Sequence, residues 1–586
     1  MEKWQIELYG TPLWLLQTFG GVVIVLFASV FLLGKTQFGR QFWRILRPCV
    51  NKQTAGKVLI FVILMVLLLL TEIRLNVLNT FFYNGLYSAL QDKKAEAFWF
   101  FALVNAGVVL LRTLNGIIND FLDQSLAIKW SEQLNRVLTE RWLADKNYYR
   151  LQTHQQTPDN IDQRIQQDAQ DFISTTISFI RGMLDSVLSA MEFAIVLWGL
   201  SGVLALAGVE IPRGMVFFVF LFVLLSTAAA MWIGQPLVRY HYDNEKLNGN
   251  YRYALIQVRD HAESIAFYHA EAQEAKHLRQ RFADIIRNRW KITRQSVSLN
   301  GFNTLLTQGV QLLPLMLQAP RFFAGQIKIG DMHQTVQAFN RLQRALSFFR
   351  NFYEQFTAYR ARLERLYGFM TSMDEASQRQ VIHPNWRQAG HELIIRDLTL
   401  FQNNGKALLS HVQLSARSGD AVLIQGPSGC GKTSLLRTLA GLWPFGSQGD
   451  IQLPDTAKMM FVPQRPYIPQ GLLREAIAYP NIDPHHSELI NTLRICALEH
   501  LIEYLDTEDD WQHRLSPGEV QRIAFTRILL SDAQIVLLDE ATSALDEEAE
   551  YRLYQLVRQR FKDGIIISVG HRGTLSAYHN QRLVLA

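Results

Sequence analysis

The chain predicts an α-helical transmembrane domain fused to a C-terminal α/β domain. Three observations carry this division: long uncharged apolar runs confined to the first 370 residues, a strand, glycine loop and helix in succession near residue 425, and a later apolar strand ending in adjacent carboxylates. The 586 residues are 49% hydrophobic and 19% charged, below the ~25% charged of ordinary soluble domains. A mean hydropathy of +0.02 then averages a very apolar part with an ordinary one, which excludes a disordered chain. Cys49, Cys430 and Cys496 are too few and too widely spaced for a disulfide framework or a zinc site. The net charge of +6 fits basic loops beside membrane spans; no basic helix interleaved with aromatics points to nucleic acid.

In chain order, the strongest runs are Gly20 to Gly34, Val58 to Leu70 and Met215 to Ile233. Each reaches, with its flanks, the ~20 residues that cross a bilayer as helix. Less uniform runs cover 97–118, 175–208 and 297–320, and a seventh starts near Thr335 and grows charged toward Met370. The expectation is one N-terminal helix plus six spans. The segment 35–57 carries Lys35, Arg40, Arg44, Arg47, Lys52 and Lys57 with no acid, so it reads as a cytosolic loop and the N-terminus faces outward. Residues 81–96, 209–214 and 321–334 then become short outer loops, and 121–174 and 237–296 long cytosolic extensions. No small-residue cleavage site follows the first run, so it reads as a retained helix. The expected division is 1–57, an N-terminal membrane helix and basic loop; 58–370, the six-helix domain; 371–390, a linker containing Pro384; and 391–586, the α/β domain.

In that last domain DAVLIQ, Asp420 to Gln425, has strand composition and precedes GPSGCGKT, then the helical SLLRTLAGL. This is a phosphate-binding loop in its proper context. The candidate nucleotide-binding residues are Gly426, Pro427, Ser428, Gly429, Cys430, Gly431, Lys432, Thr433 and Ser434. Glycines let successive N–H groups converge on phosphate at the positive end of the helix, Lys432 neutralises the outer phosphates, and the Thr433 hydroxyl ligates Mg2+. The strand AQIVLLDE presents Asp539 and Glu540 at its tip. Asp539 is placed to hold the metal through its water shell, and Glu540 to orient and polarise the water attacking the γ-phosphate of ATP.

LSPGEVQR (Leu515 to Arg522), FVPQRPYIP with Gln464, SALD (Ser543 to Asp546) and GIIISVGHR with His571 follow the order and spacing of the signature, Q-loop, D-loop and switch histidine of ATP-binding-cassette (ABC) proteins, which this part of the chain resembles. The resemblance implies the exporter-type six-span fold plus one extra N-terminal helix. It makes Glu540, His571 and Gln464 the catalytic candidates and Thr433, Gln464 and Asp539 the metal-side candidates. Two such domains are expected to sandwich two ATP molecules head to tail, with Ser516 and Gly518 facing the phosphate loop of the partner chain. One chain then lacks a complete site, and a homodimer is the simpler expectation, a heterodimer with a similar chain the other. Pro517 and Glu519 depart from the family's glycine and glutamine, and proline has no N–H to donate. The adenine-stacking aromatic falls at Gln402 or at its neighbour Phe401, which lie on opposite faces of a strand. Cys430 reads as a reactive thiol or as a small loop filler.

LNTFFYNGLYSALQDKKAEAFW (Leu78 to Trp99), DNIDQRIQQD (Asp159 to Asp168) and AESIAFYHAEAQE (Ala262 to Glu274) are similar to the peroxisomal subfamily D transporters and their bacterial relatives, including SbmA/BacA-related peptide-uptake proteins and a mycobacterial cobalamin transporter. That resemblance implies short coupling helices at the tips of the extensions, with Asp159, Asp162, Gln163, Arg164 and Glu263 as candidates. Charges within spans are expensive. Glu72 and Arg74 pair poorly because they are two residues apart, whereas Asp185 and Glu192 are seven apart and share a helical face. That face either lines a cavity for a polar or cationic substrate or makes a helix-to-helix bond. The expectation is a bacterial inner-membrane transporter for a small molecule or peptide, with lipid around its spans and the ATPase domain in the cytosol. Cobalamin-like molecules, hydrophilic peptides and acyl compounds, import and export, and a membrane-anchored regulatory ATPase all stay open at this point.

Overall fold

Where the first apolar run meets its basic flank, the chain bends and continues as helix. The computed structural model describes residues 3–50, 55–152, 158, 160–206, 209–378, 384–388, 390–454, 458–480 and 484–585. It divides into Met1–Ser377 and Gln378–Ala586. In the first unit α1 (Lys3–Lys35) is followed by α2 (Gln37–Leu46), so much of the expected basic loop is helical. Thr36 caps α2 by accepting from Gly39 N–H at 3.0 Å, and a side chain on Gly39 would collide with the Leu33 carbonyl. Its basic residues hid an amphipathic face: Phe38, Phe42, Ile45 and Leu46 pack into a cluster with Trp130 and Phe172, while Arg44 pairs with Asp374.

Next come α3 (Ala55–Gln91), α4 (Ala95–Leu143), α5 (Asn147–Gln152), α6 (Ile161–Gln163) and α7 (Ala169–Leu200). The span expected to reach residue 208 stops at Leu200. Beyond it β1 (Val203–Leu206) and β2 (Val209–Pro212) pair antiparallel, Val203 opposite Pro212. Gly202 ends the helical pattern, and Pro212, which lacks an N–H, sits at a strand end. The unit closes with α8 (Gly214–Asp260), α9 (Ala262–Phe267), α10 (Glu271–Phe323), α11 (Ile329–Leu346) and α12 (Phe348–Gln378).

Among the described residues five helices are long and apolar enough to cross a membrane, within Trp4–Lys35, Gly56–Gln91, Ala95–Gln152, Ile161–Leu200 and Gly214–Asp260. Helices α10 and α11 stand where the last two spans were expected, but composition alone does not mark them. In α11 the polarity is turned inward and bonded. Asn84 donates to Gln334 Oε1 at 2.7 Å and to Asp331 Oδ1 at 3.0 Å, and Arg341 donates to Asn76 Oδ1 at 3.1 Å. Leu134 and Leu138, one turn apart on α4, meet Phe172 of α7 and Leu363, Leu366 and Phe369 of α12 in a fully buried cluster with Ile45.

In the second unit β3 (Asn385–Gln388), read from sequence as linker, pairs parallel with the strand Ser447–Leu453. It belongs to a four-stranded sheet, order β3-β7-β4-β5, formed with β4 (Glu392–Phe401), β5 (Ala407–Arg417) and β7 (Ser447–Leu453). The main sheet is parallel, order β13-β6-β12-β11-β8, from β6 (Ala421–Gln425), β8 (Met459–Val462), β11 (Ile535–Asp539), β12 (Ile565–Val569) and β13 (Gln581–Val584). Strands β11 and β12 are buried at every position, which is why they read as unbroken Val/Ile/Leu runs rather than alternating ones. Helix α13 (Lys432–Leu439) follows β6. A helical region, with the short pair β9 (Gly471–Leu472) and β10 (Glu508–Asp509), contains α14 (Leu473–Ala478), α15 (His486–Ile495), a 3₁₀ turn Glu499–Tyr504, α16 (Trp511–Arg514) and α17 (Pro517–Leu530), and α18 (Glu547–Arg560) precedes β12.

Helices α3 and α11 meet at Gly330, where an added Cβ would collide with the Asn84 carbonyl and the Ser88 hydroxyl. Gly330→Ala is therefore expected to lower stability by about 1–3 kcal/mol, measured as a reduced Tm of the purified protein in detergent; an unchanged Tm would mean that the two helices separate without cost.

Candidate functional site

Parallel pairing brings the carboxyl ends of four strands to one edge, where open α/β sheets hold their ligands. Asp539 lies opposite Val569, Ile424 opposite Val569, and Leu538 opposite Val462. The glycine loop leaves β6 there, Gln464 follows β8, Asp539 and Glu540 end β11, and His571 follows β12. Gly426 has φ 155° and a Cβ on it would stand 2.6 Å from the Leu585 carbonyl and 2.9 Å from Cys430 Sγ. Gly431, at φ 102°, immediately precedes α13, a backbone shape that favours glycine. The loop tip, Pro427, Ser428 and Gly429, is exposed, and Gly426, Cys430, Thr433 and Ser434 are half-buried. Lys432 is buried and its Nζ donates to the loop's own carbonyls, Gly426 O and Pro427 O, both at 2.8 Å.

Thr433 Oγ1 donates to Asp539 Oδ1 at 3.1 Å. Burial pushes the Asp539 carboxyl above the usual carboxylate range, the Thr433 hydrogen bond opposes the rise, and Glu540 adds to it. A buried carboxylate beside a hydroxyl is the start of a hard-oxygen set that suits Mg2+. Glu540 itself has φ 48°, a left-handed conformation rare for a side-chain-bearing residue and one that collects at functional sites. The turn is held by Glu540 N–H to Val569 O at 3.0 Å and Ser543 N–H to Glu540 O at 3.1 Å. Gln464 Nε2 donates to Glu540 Oε2 at 2.8 Å, and His571 Nε2 stands 3.5 Å from Glu540 Oε1. Two of the catalytic candidates, Gln464 and His571, thus converge on the carboxylate of the third, Glu540.

The signature departures turn out to be a helix start. Ser516 is the N-cap of α17, Pro517 its first residue, and Glu519 closes a capping box on Ser516. Proline fits this position because the first N–H of a helix has no intrahelical partner. Gly518 lies beside the D-loop, a Cβ on it being 3.5 Å from the Ala544 carbonyl. Phe401 ends β4 on the face away from buried Leu400, with its carbonyl accepting from Trp443 Nε1 at 3.1 Å; Gln402, exposed, starts the following turn.

Sequence reasoning missed the braces behind this edge. Glu550 is fully buried and accepts from Thr542 Oγ1 and Thr574 Oγ1, both at 2.7 Å, and from Arg572 at 3.4 Å. Gln521 ties α17 to the D-loop, donating to Ser543 Oγ at 3.0 Å and accepting from Ala544 N–H at 2.9 Å. Arg572, next to His571, donates to Leu545 O at 2.8 Å. Helical periodicity shows only that Glu550 faces inward.

In the membrane unit Glu72 and Arg74 take different partners. Arg74 donates to Glu7 Oε2 at 2.8 Å and Thr11 Oγ1 at 3.1 Å on α1; Glu72 lies 3.8 Å from Arg181, which also holds Asp123. Asp185 and Glu192 do not share surroundings as their spacing suggested. Glu192 accepts from Trp14 Nε1 of α1 at 2.6 Å, because the extra helix covers that end of α7, whereas Asp185 accepts from Ser189 at 3.2 Å and faces Arg181 and Arg341. Of the coupling candidates, Asp159 lies outside the described residues. Asp162 and Glu263 are exposed and Gln163 half-buried. Arg164 is instead turned inward, donating to the Arg365 carbonyl of α12 at 2.8 Å.

Glu550→Ala strands the buried Thr542 hydroxyl, releases Thr574 and Arg572, and so loosens the segments that follow Glu540 and His571. It is expected to lower kcat for ATP hydrolysis on the order of tenfold, with Glu550→Gln intermediate, in steady-state assays; a native kcat would show that the brace does not position the site.

Comparison with known proteins agrees with this geometry. ABC transporter transmembrane region 2 matches residues 43–323 and the ABC transporter family matches residues 409–543. The chain is 50% identical over 583 residues to an uncharacterized ABC transporter ATP-binding protein of Haemophilus influenzae, covering 100% of this chain and 98% of that one. It is 31% identical to the inner membrane ABC transporter ATP-binding protein YddA of Escherichia coli, over 89% of this chain and 92% of that one. It is 27% identical to the lysosomal cobalamin transporter ABCD4 of Homo sapiens, over 94% of this chain and 95% of that one. A bacterial Atm1-family ABC exporter with ATP bound shares the fold, with a TM-score of 0.72 at 19% identity over 92% of this chain and 94% of that one. The chain therefore belongs to the ABC transporter family, as a multi-pass inner-membrane protein, homologous to subfamily D members, whose fused domain hydrolyses ATP to drive transport.

Proposed function

We propose that this chain works as a homodimer importing a hydrophilic solute, cobalamin-like or peptide, and that its bacterial kin include the SbmA/BacA-related uptake proteins. One observation carries the choice of solute: charged groups gather inside the bundle. Arg341 lies twelve residues into α11, about 18 Å along the helix, within electrostatic reach of Asp185, Glu72, Arg112 and Arg344. Such groups are costly facing lipid and suit a water-filled path for a polar molecule better than one for an acyl chain. The printed function of the human relative, cobalamin transport, supports the same class.

In this reading the domains are 1–57, 58–377 and 378–586: the expected linker at 371–390 is taken up by the end of α12 and by β3, which pairs in the sheet of the last domain. ATP phosphates lie on Gly426 to Ser434, Phe401 stacks on adenine, and Ser516 and Gly518 reach the ATP held by the partner chain. Thr433, Asp539 and Gln464 hold Mg2+, which neutralises phosphate charge. Glu540 orients the attacking water, Gln464 and His571 align Glu540, and closure passes to the spans through Asp159, Asp162, Gln163 and Glu263, with Arg164 bracing α12. Because Glu192 is engaged with α1, the substrate-facing role in this reading falls to Asp185 and its arginine neighbours.

Proteoliposomes with the ATPase domains outward and ATP outside test this, with labelled cobalamin, a cationic peptide and an acyl-CoA supplied on either side and Glu540→Gln as the inactive control. The expected result is ATP-driven loss of cobalamin or peptide from the lumen. Accumulation inside would reverse the direction, flux of the acyl-CoA alone would overturn the solute class, and hydrolysis with no flux would favour a regulatory ATPase.

A further inference from the structure

Ser516, Glu519 and His500 form a bonded unit at the signature. The Ser516 N–H and hydroxyl both donate to Glu519 Oε2, at 2.8 and 2.7 Å. The Glu519 N–H returns a bond to Ser516 Oγ at 3.3 Å. The second carboxylate oxygen, Oε1, accepts from His500 Nε2 at 2.6 Å; His500 stands on the 3₁₀ turn Glu499–Tyr504. The hydroxyl that the head-to-tail reading turns toward a γ-phosphate is, here, donated to the chain's own carboxylate. A glutamine at 519 closes the same capping box, but a carboxylate differs in two ways. It is a charged acceptor and holds the hydroxyl more strongly, and it brings negative charge to a surface that must meet a triphosphate. Partial burial works against ionisation of Glu519, yet the hydrogen bonds from Ser516 and His500 outweigh it and keep the carboxyl below the usual range.

We propose that Glu519 and His500 are positioning residues that gate the signature serine. Glu519 retains the Ser516 hydroxyl until ATP on the partner chain draws it away, and His500 supports the carboxylate once that bond is given up. The inference rests on the head-to-tail reading of the ATP site. It makes ATP engagement, rather than the chemical step, the quantity that these two residues set.

The test is steady-state ATP hydrolysis by the full-length protein, with KM and kcat separated, for the native chain, Glu519→Gln, His500→Gln and the double variant. Glu519→Gln keeps the capping box, so it folds, and its neutral acceptor releases the serine more readily: KM for ATP falls about fivefold with kcat within about twofold. His500→Gln leaves the carboxylate with a weaker partner and raises KM by a similar factor. The double variant follows Glu519→Gln, because no carboxylate remains to support. Native KM values in both single variants, or effects that simply add in the double, overturn the gate, as does a loss of kcat and Tm at unchanged KM, the result of a purely structural role. Ser516→Ala separates this from the reading beneath it. Undiminished hydrolysis there contradicts the head-to-tail site itself, whereas loss there with native KM in the other variants defeats the gate alone.

Discussion

The parallel pairing of β6, β8, β11 and β12 is the constraint on which the ATPase unit depends. Strands running the same way finish at the same edge, so four loops that are distant in sequence deliver a lysine, an amide, two carboxylates and an imidazole to one place. Strands β11 and β12 are buried throughout, and the strand ends cannot drift without disturbing two hydrophobic layers, one on each face. Against that rigid edge a single strained residue, Glu540 at φ 48°, is held by main-chain bonds on both sides. Strain of this kind persists only where the surroundings over-determine it, and the Glu550 and Gln521 braces show how they do so.

The membrane unit solves a different problem. Its charges lie where desolvation is costly, and several are given a partner on another helix. Arg74 fastens α3 to α1, Glu192 receives Trp14 of the same helix, and Arg181 gathers acids from α3 and α4. The extra N-terminal helix is thus tied to the bundle by polar bonds as well as by its apolar surface. The charges around Arg341 are the ones assigned above to the solute path.

Much of the site was legible because it is local. A glycine loop between strand and helix, a carboxylate pair at a strand tip and a histidine after another strand are patterns within ten residues of themselves. What escaped was tertiary. Helix α2 looked like a loop because six basic residues in and around it masked four apolar ones; α11 looked weak because Asn76 and Asn84, far away in sequence, answer its polar groups. β3 is too short to show a period. Spacing placed Asp185 and Glu192 on one face, yet spacing cannot say that α1 lies against only one of them. Ser516 and Glu519 were a readable case that went unread, since serine followed three residues later by glutamate is the pattern of a capping box.

In the head-to-tail reading one chain holds only half of each ATP site and a second copy completes it. Cys430 lies in the phosphate loop, and the other two cysteines, Cys49 and Cys496, are buried. Oxidative cross-linking of a Ser516→Cys, Glu540→Gln variant in the presence of ATP tests the claim most directly, with Cys430→Ser as the control. The account predicts a disulfide-linked dimer that requires ATP and Cys430; protein that retains bound ATP yet forms no such dimer would contradict it.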